Sequence, residues 1–188
     1  MRRWDIPKRA ALAVATVFTV LLTAVSPAVA GDDPGRKNGA RAAAPFCDGW
    51  HRLDHGVSGR HAVVEPGAPW HVRLGGDTDG YENFMFCDYG YNAGAGKRKI
   101  AFYSNASKQY LTWRNGEVVA SGTDPEGPGY WWVCALDTTW VEISYFTRDA
   151  YLTRNSANYL TTVSGPPGGE VLWQRYQFGP ISDILPYC

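Results

Sequence analysis

The chain has 188 residues, with 18 Lys+Arg balanced by 18 Asp+Glu, 45% hydrophobic residues and only 19% charged ones. Its 21 Gly and 8 Trp exclude a long coiled coil, which needs a charge-rich, glycine-poor sequence. The 14% aromatic content excludes general disorder, because it can supply a core. The length suits one domain, and the even charge gives no electrostatic case for nucleic acid.

Residues 1–30 open with Arg2, Arg3, Lys8 and Arg9 and continue as an apolar run from Ala10 to Val25. Pro27 and the small residues of Ala28-Val29-Ala30 complete the three-part layout of a secretory signal peptide, with cleavage expected after Ala30. The run falls short of the roughly 20 residues that span a bilayer, so no membrane span is expected after cleavage. The apolar residues that would follow a twin-arginine pair are missing, and Sec-type export to the extracellular space is the expectation. Without the leader, 14 basic and 17 acidic residues remain, a net charge of −3 with no polybasic face. Cys47, Cys87, Cys134 and Cys188 all survive, and an even count in an exported chain argues for two disulfides. They lie 40 or more residues apart with no Cys-x-x-Cys pair, which disfavours a zinc site.

The stretch from Gly31 to Pro45 has no aromatic and no β-branched residue, and reads as a flexible tail. From residue 46 to 188 the texture changes to short alternating runs broken by Gly, Pro, Asn and Asp. No helical period persists, so this domain reads as all-β. Within it, Tyr110-Leu111-Thr112 recurs as Tyr151-Leu152-Thr153. Each is followed by a second apolar run, a Gly/Pro turn, and a strand opening at Trp131 or Trp173. A weaker copy runs through residues 61–64 and 70–74 to Phe84, so that Phe84, Trp131 and Trp173 align. A further strand candidate precedes each hairpin, at 50–55, 99–103 and 140–146. The outcome is four short strands in about 45 residues, three times over, and such units must pack against one another to bury their apolar faces.

This strand order resembles the β-trefoil, and the Tyr-Leu-Thr hairpin with its tryptophan strand is similar to repeats of fascin-like and ricin-type trefoils. The resemblance spans residues 46–188 and implies a short six-stranded barrel capped by three hairpins. It also implies that the chain ends meet, pairing Cys47 with Cys188, and that Cys87 and Cys134 pair as equivalent residues of neighbouring fourth strands. The Gln-x-Trp motif of ricin-type trefoils is absent, with only Trp173-Gln174 in reversed order. That departure speaks against the standard galactose pocket.

Candidate chemistry is sparse. His51 and His55 have i,i+4 spacing but no adjacent Glu and no helical context, so these and His61 and His71 read as surface or turn residues. Asp77-Thr78-Asp79-Gly80 opens like a calcium loop, yet Tyr81 and Asp88 stand where further ligands would be needed, leaving a turn. There is no Gly-x-Ser-x-Gly. Asp124, Glu126 and Glu170 occupy comparable turns, which places them on separate lobes rather than as a facing pair. Lys97-Arg98-Lys99 reads as loop and is too short to imply nucleic acid. No catalytic residue, metal ligand or cofactor is assigned.

Aromatic residues with a polar tip remain the strongest clue. Trp131, Trp132 and Trp173 fall in barrel strands and read as core. Trp70, Trp113 and Tyr159 fall in hairpin strands near the cap and are the candidate ligand-binding residues, for a sugar ring or a protein loop. The expectation is a secreted, non-enzymatic binding protein for a glycan or an extracellular protein. Two alternatives stand beside it. One is a trefoil-type protease inhibitor, for which Lys97-Arg98-Lys99 would suit trypsin-like pockets. The other is an accessory subunit of a secreted toxin complex, joined through the tail from Gly31 to Pro45.

Overall fold

The computed structural model describes residues 44–76, 79–125, 127–145, 150–165 and 168–188. The leader, nearly all of the tail, the first half of the Asp77 loop, and Glu126 lie outside the described residues.

Twelve antiparallel strands are described: β1 Phe46–His51, β2 His61–Val64, β3 Trp70–Gly75, β4 Phe84–Asn92, β5 Lys97–Ser104, β6 Leu111–Arg114, β7 Glu117–Ala120, β8 Trp131–Ala135, β9 Trp140–Tyr145, β10 Ala150–Arg154, β11 Leu160–Ser164 and β12 Leu172–Gln174. β1, β4, β5, β8 and β9 follow one another in the main ladder, and β12 pairs with β9. The residues just after β1 then meet β12. The Gly56 N–H donates to the Leu172 carbonyl at 2.7 Å, and the Gln174 N–H to the Asp54 carbonyl at 2.9 Å. The ladder therefore returns to its first strand and closes a barrel, which removes the free edges an open sheet would expose.

Three hairpins, β2–β3, β6–β7 and β10–β11, lie off this ring. The turn between β6 and β7 is Asn115-Gly116 with φ of 51° and 91°, and positive φ at both central residues is what a tight right-twisted hairpin requires. The hairpins also join one another. Trp70 of β3 stands opposite Ala120 of β7, and Arg73 bridges to Tyr159 just ahead of β11.

Strand alternation sets the core. Phe84, Phe86, Phe102, Trp131 and Trp173 are fully buried inside the ring. The two aligned tryptophans make the same bond: the Trp131 indole N–H donates to the Leu111 carbonyl at 3.2 Å, and that of Trp173 to the Leu152 carbonyl at 3.1 Å. Each indole thus ties its barrel strand to the Tyr-Leu-Thr hairpin preceding it, while Phe84 fills the aligned place without a donor.

Two local expectations change. β1 begins at Phe46 rather than Trp50, because Phe46 and Cys47 pair with Asp88 and Cys87 of a fourth strand that runs on to Asn92. A short helical segment closes the chain, with a 3-10 turn at Arg175–Phe178 and α1 at Ile181–Ile184. It is too short to show a helical period, yet it lodges Phe178 and Ile181 in the core, Phe178 lying 4.7 Å from Phe86 between ring centroids.

The disulfides are Cys47–Cys87 and Cys134–Cys188, which corrects the pairing of Cys47 with Cys188 and Cys87 with Cys134. β5 lies between β4 and β8, so the fourth strands are not neighbours. Two strand spacings amount to about 10 Å, beyond the reach of a disulfide. Cys47 and Cys87 face each other across the β1–β4 ladder with Cα atoms 4.0 Å apart. The C-terminus runs beside β8, where the Cys188 N–H donates to the Ala135 carbonyl at 2.9 Å, and this delivers Cys188 to Cys134.

Candidate functional site

The alternation of β3 sorts its residues between two faces. Val72 and Leu74 are fully buried, and Trp70 packs with them against the core. His71 and Arg73 therefore emerge on the opposite face. In β6, Leu111 and Trp113 share the core face in the same way, with the Trp113 ring 5.4 Å from Tyr145. Of the three candidate aromatics, Trp70 and Trp113 are thus packing residues. Tyr159, which precedes the buried Leu160, turns outward instead.

On that outward face the chain builds a polar cluster. Glu65, the residue after β2, accepts from the Arg73 guanidinium through Oε1 and from the Tyr159 hydroxyl through Oε2 at 3.3 Å. The His71 ring meets the Tyr159 ring edge-on at 5.6 Å, and its Nδ1 stands 3.0 Å from Glu117 at the start of β7. Three hairpins so contribute to one surface. A cleft of about 650 Å³ opens beside it, with Val63, Val64 and Pro66 as its apolar lining and Glu65, Arg73, Asp79 and Tyr81 as its polar and aromatic lining. The Arg73 and Glu65 side chains are 38% and 31% exposed, so both stay within reach of a ligand while each is oriented by the other.

Such a cleft offers carboxylate acceptors, a forked donor and a tyrosine ring over an apolar patch. This is the set of groups that fixes an amphipathic polar ligand in a shallow site. Glu65 and Arg73 were not singled out from the sequence, and Asp79 and Tyr81 were read there only as part of a turn. The pattern Trp70-His71-Val72-Arg73-Leu74 does contain the signal for Arg73, because a charged residue between two buried ones must face away from the core.

The chain matches no protein-family model and no curated protein. Among solved structures it is similar to BEL, a β-trefoil in an apo crystal form, with TM-score 0.54, 18% identity, and coverage of 69% of this chain and 93% of that one. It is also similar to ThreeFoil, a designed three-fold symmetric protein, with TM-score 0.55, 17% identity, and coverage of 67% and 96%. A third is SeviL bound to the asialo-GM1 saccharide, with TM-score 0.53, 14% identity, and coverage of 66% and 94%. This chain has a β-trefoil fold.

In the trefoil the remaining candidate residues find structural partners. His55 and His61 are buried, which corrects their reading as surface or turn residues. The His55 Nε2–H donates to the Glu170 carbonyl at 2.8 Å, and its ring lies edge-on to Trp173. His51 pairs with Asp48 at 3.0 Å, so the i,i+4 histidines are engaged separately. Lys97-Arg98-Lys99 is strand, not loop: Lys97 reaches Glu142 at 2.5 Å, Arg98 pairs with Asp88, and the Lys99 ammonium sits 3.7 Å from the Tyr130 ring centroid. Burial pulls the Lys99 pKa down. Beside it the Tyr89 phenol is pushed well above its ordinary value, first by desolvation and then by Tyr110, Tyr130 and Asp124. Ligand atoms of Cys134, Glu142 and Cys188 gather within 4.8 Å, but the sulfurs are joined and Glu142 holds Lys97, which leaves no metal chemistry there. Among the described residues, no helix is long and apolar enough to cross a membrane.

Proposed function

We propose that this protein is a secreted, non-enzymatic carbohydrate-binding protein, and that the cleft of the β2–β3 hairpin is its sugar site. The observation that carries this reading is Glu65, which holds Arg73 and the Tyr159 hydroxyl together at the rim of an open cleft. Paired acceptor and donor groups suit the adjacent hydroxyls of a sugar, and the Tyr81 ring and Pro66 suit its C–H face. The saccharide bound to SeviL on the same fold supports the ligand class. Export rests on the leader layout of residues 1–30, with which two disulfides agree.

The inhibitor reading loses its candidate reactive segment, because all three of its basic side chains are engaged by neighbours of β5. The subunit reading rests on the tail, which lies almost wholly outside the described residues.

A glycan array tests the proposal. The wild-type chain is expected to show saturable binding to a subset of glycans. Arg73→Gln and Glu65→Gln are expected to weaken that binding at least tenfold with the melting temperature unchanged, since an exposed ion pair adds little to stability. A flat array with folded wild-type protein overturns the reading, as does full binding by both variants.

A further inference from the structure

A second depression is tied to the cleft through the Asn158-Tyr159 segment, and its chemistry is different. It measures about 370 Å³ and is lined by Ser58, Arg60, Arg154 and Asn158. Asn158 and Tyr159 are consecutive, so one short piece of backbone serves both the depression and the polar cluster at the cleft. That backbone is held in place. The Leu74 N–H donates to the Asn158 carbonyl at 2.8 Å, and Asn155 Oδ1 accepts from the Tyr159 N–H at 3.0 Å.

The walls are donor-rich. Arg154 gives Nη1 to Asn158 Oδ1 at 2.8 Å and Nε to the Glu170 carboxylate at 3.2 Å. Using Oδ1 as acceptor leaves the Asn158 amide NH₂ as a donor. Arg60 is exposed, and its guanidinium makes no hydrogen bond or ion pair among the described residues. Its own N–H donates to Ser58 Oγ at 3.3 Å, which anchors its backbone at the rim. Glu170 balances Arg154, while among the described residues no carboxylate pairs with Arg60. Among the described residues the cleft has the reverse balance, with Glu65 and Asp79 against Arg73.

From this polarity we propose that the Arg60–Arg154–Asn158 notch binds the carboxylate or sulfate of an acidic glycan whose neighbouring ring occupies the cleft. The inference rests on the carbohydrate reading and adds the ligand's charge and orientation. Guanidinium groups match planar or tetrahedral oxyanions through paired N–H donors. The two carboxylates in the cleft repel an acidic group, which directs it toward the notch.

The test uses the full chain and one oligosaccharide in two forms, with and without its acidic group, together with inorganic sulfate. The acidic form is expected to bind about tenfold more tightly at low salt, with the advantage shrinking at 0.5 M salt as screening shortens the range of the interaction. Arg60→Gln is expected to erase that advantage while binding the neutral form as the wild type does, and sulfate should compete with the acidic form only. Equal binding of the two forms overturns the inference and leaves the sugar site intact. So does an undiminished acid preference in Arg60→Gln. Protection by sulfate without any preference for the acidic glycan assigns the notch to a free anion and overturns it too. If neither form binds, the carbohydrate reading fails and this inference with it.

Discussion

Removing the Cys134–Cys188 disulfide by the double substitution Cys134→Ala/Cys188→Ala probes how the third hairpin is held. The bond closes a loop of sequence separation 54 that contains β9 to β12 and the terminal helical segment. On the loop-entropy model this restriction of the unfolded chain contributes about 4 kcal/mol. The native contacts at stake support a loss of that size. Ile181 and Leu185 are buried, and the Ala135 N–H donates to the Pro186 carbonyl at 2.7 Å, so the C-terminus is part of the packed structure. For a domain of this size, 1 kcal/mol shifts the melting temperature by roughly 2–4 °C, and the variant is therefore expected to melt about 8–16 °C lower. Calorimetry of the oxidised wild type and the variant measures the shift, and non-reducing peptide mapping verifies the pairing. A shift under 2 °C, or a peptide joining Cys47 to Cys188, would refute the reasoning.

Three further outcomes follow from the packing. Trp131→Phe and Trp173→Phe each strip a buried carbonyl of its indole donor and leave a small void, and both should cost about 2–4 kcal/mol in urea unfolding. Lys97→Met isolates Glu142, whose side chain is 7% exposed, and should cost about 3 kcal/mol; adding Glu142→Leu should restore most of it, a cycle read by chemical denaturation. Tyr89 has its folded pKa raised above the ordinary value of 10.0, so its contribution is intact below about pH 10 and is lost as pH rises further. Wild type should accordingly lose more stability between pH 9 and pH 11 than Tyr89→Phe does, as followed by urea titration at each pH.

Strand alternation, the recurrence of Tyr-Leu-Thr before a tryptophan strand, and the burial of Trp131 and Trp173 were legible in the sequence because each is a local, period-two property. Their consistency along the chain is what made the β-trefoil resemblance readable. The same alternation distinguishes the core-facing Trp70 from Arg73 three residues later. The histidines were harder. His55 is buried and donates its Nε2–H to the carbonyl of Glu170, 115 residues away, and nothing near His55 in the chain announces that partner.

Composition, charge, strand succession and the apolar positions are determined by the sequence alone, since they depend on neighbours in the chain. Which cysteine meets which, and which polar residues share a cleft, were decided only by the tertiary structure. Insertion of β5 between β4 and β8 separates Cys87 from Cys134, and the register of β1 on β4 sets Cys47 opposite Cys87. Glu65 and Tyr159 are 94 residues apart and meet because ring closure brings the first and last hairpins side by side. Local periodicity says which way a side chain points; only long-range register says what it faces.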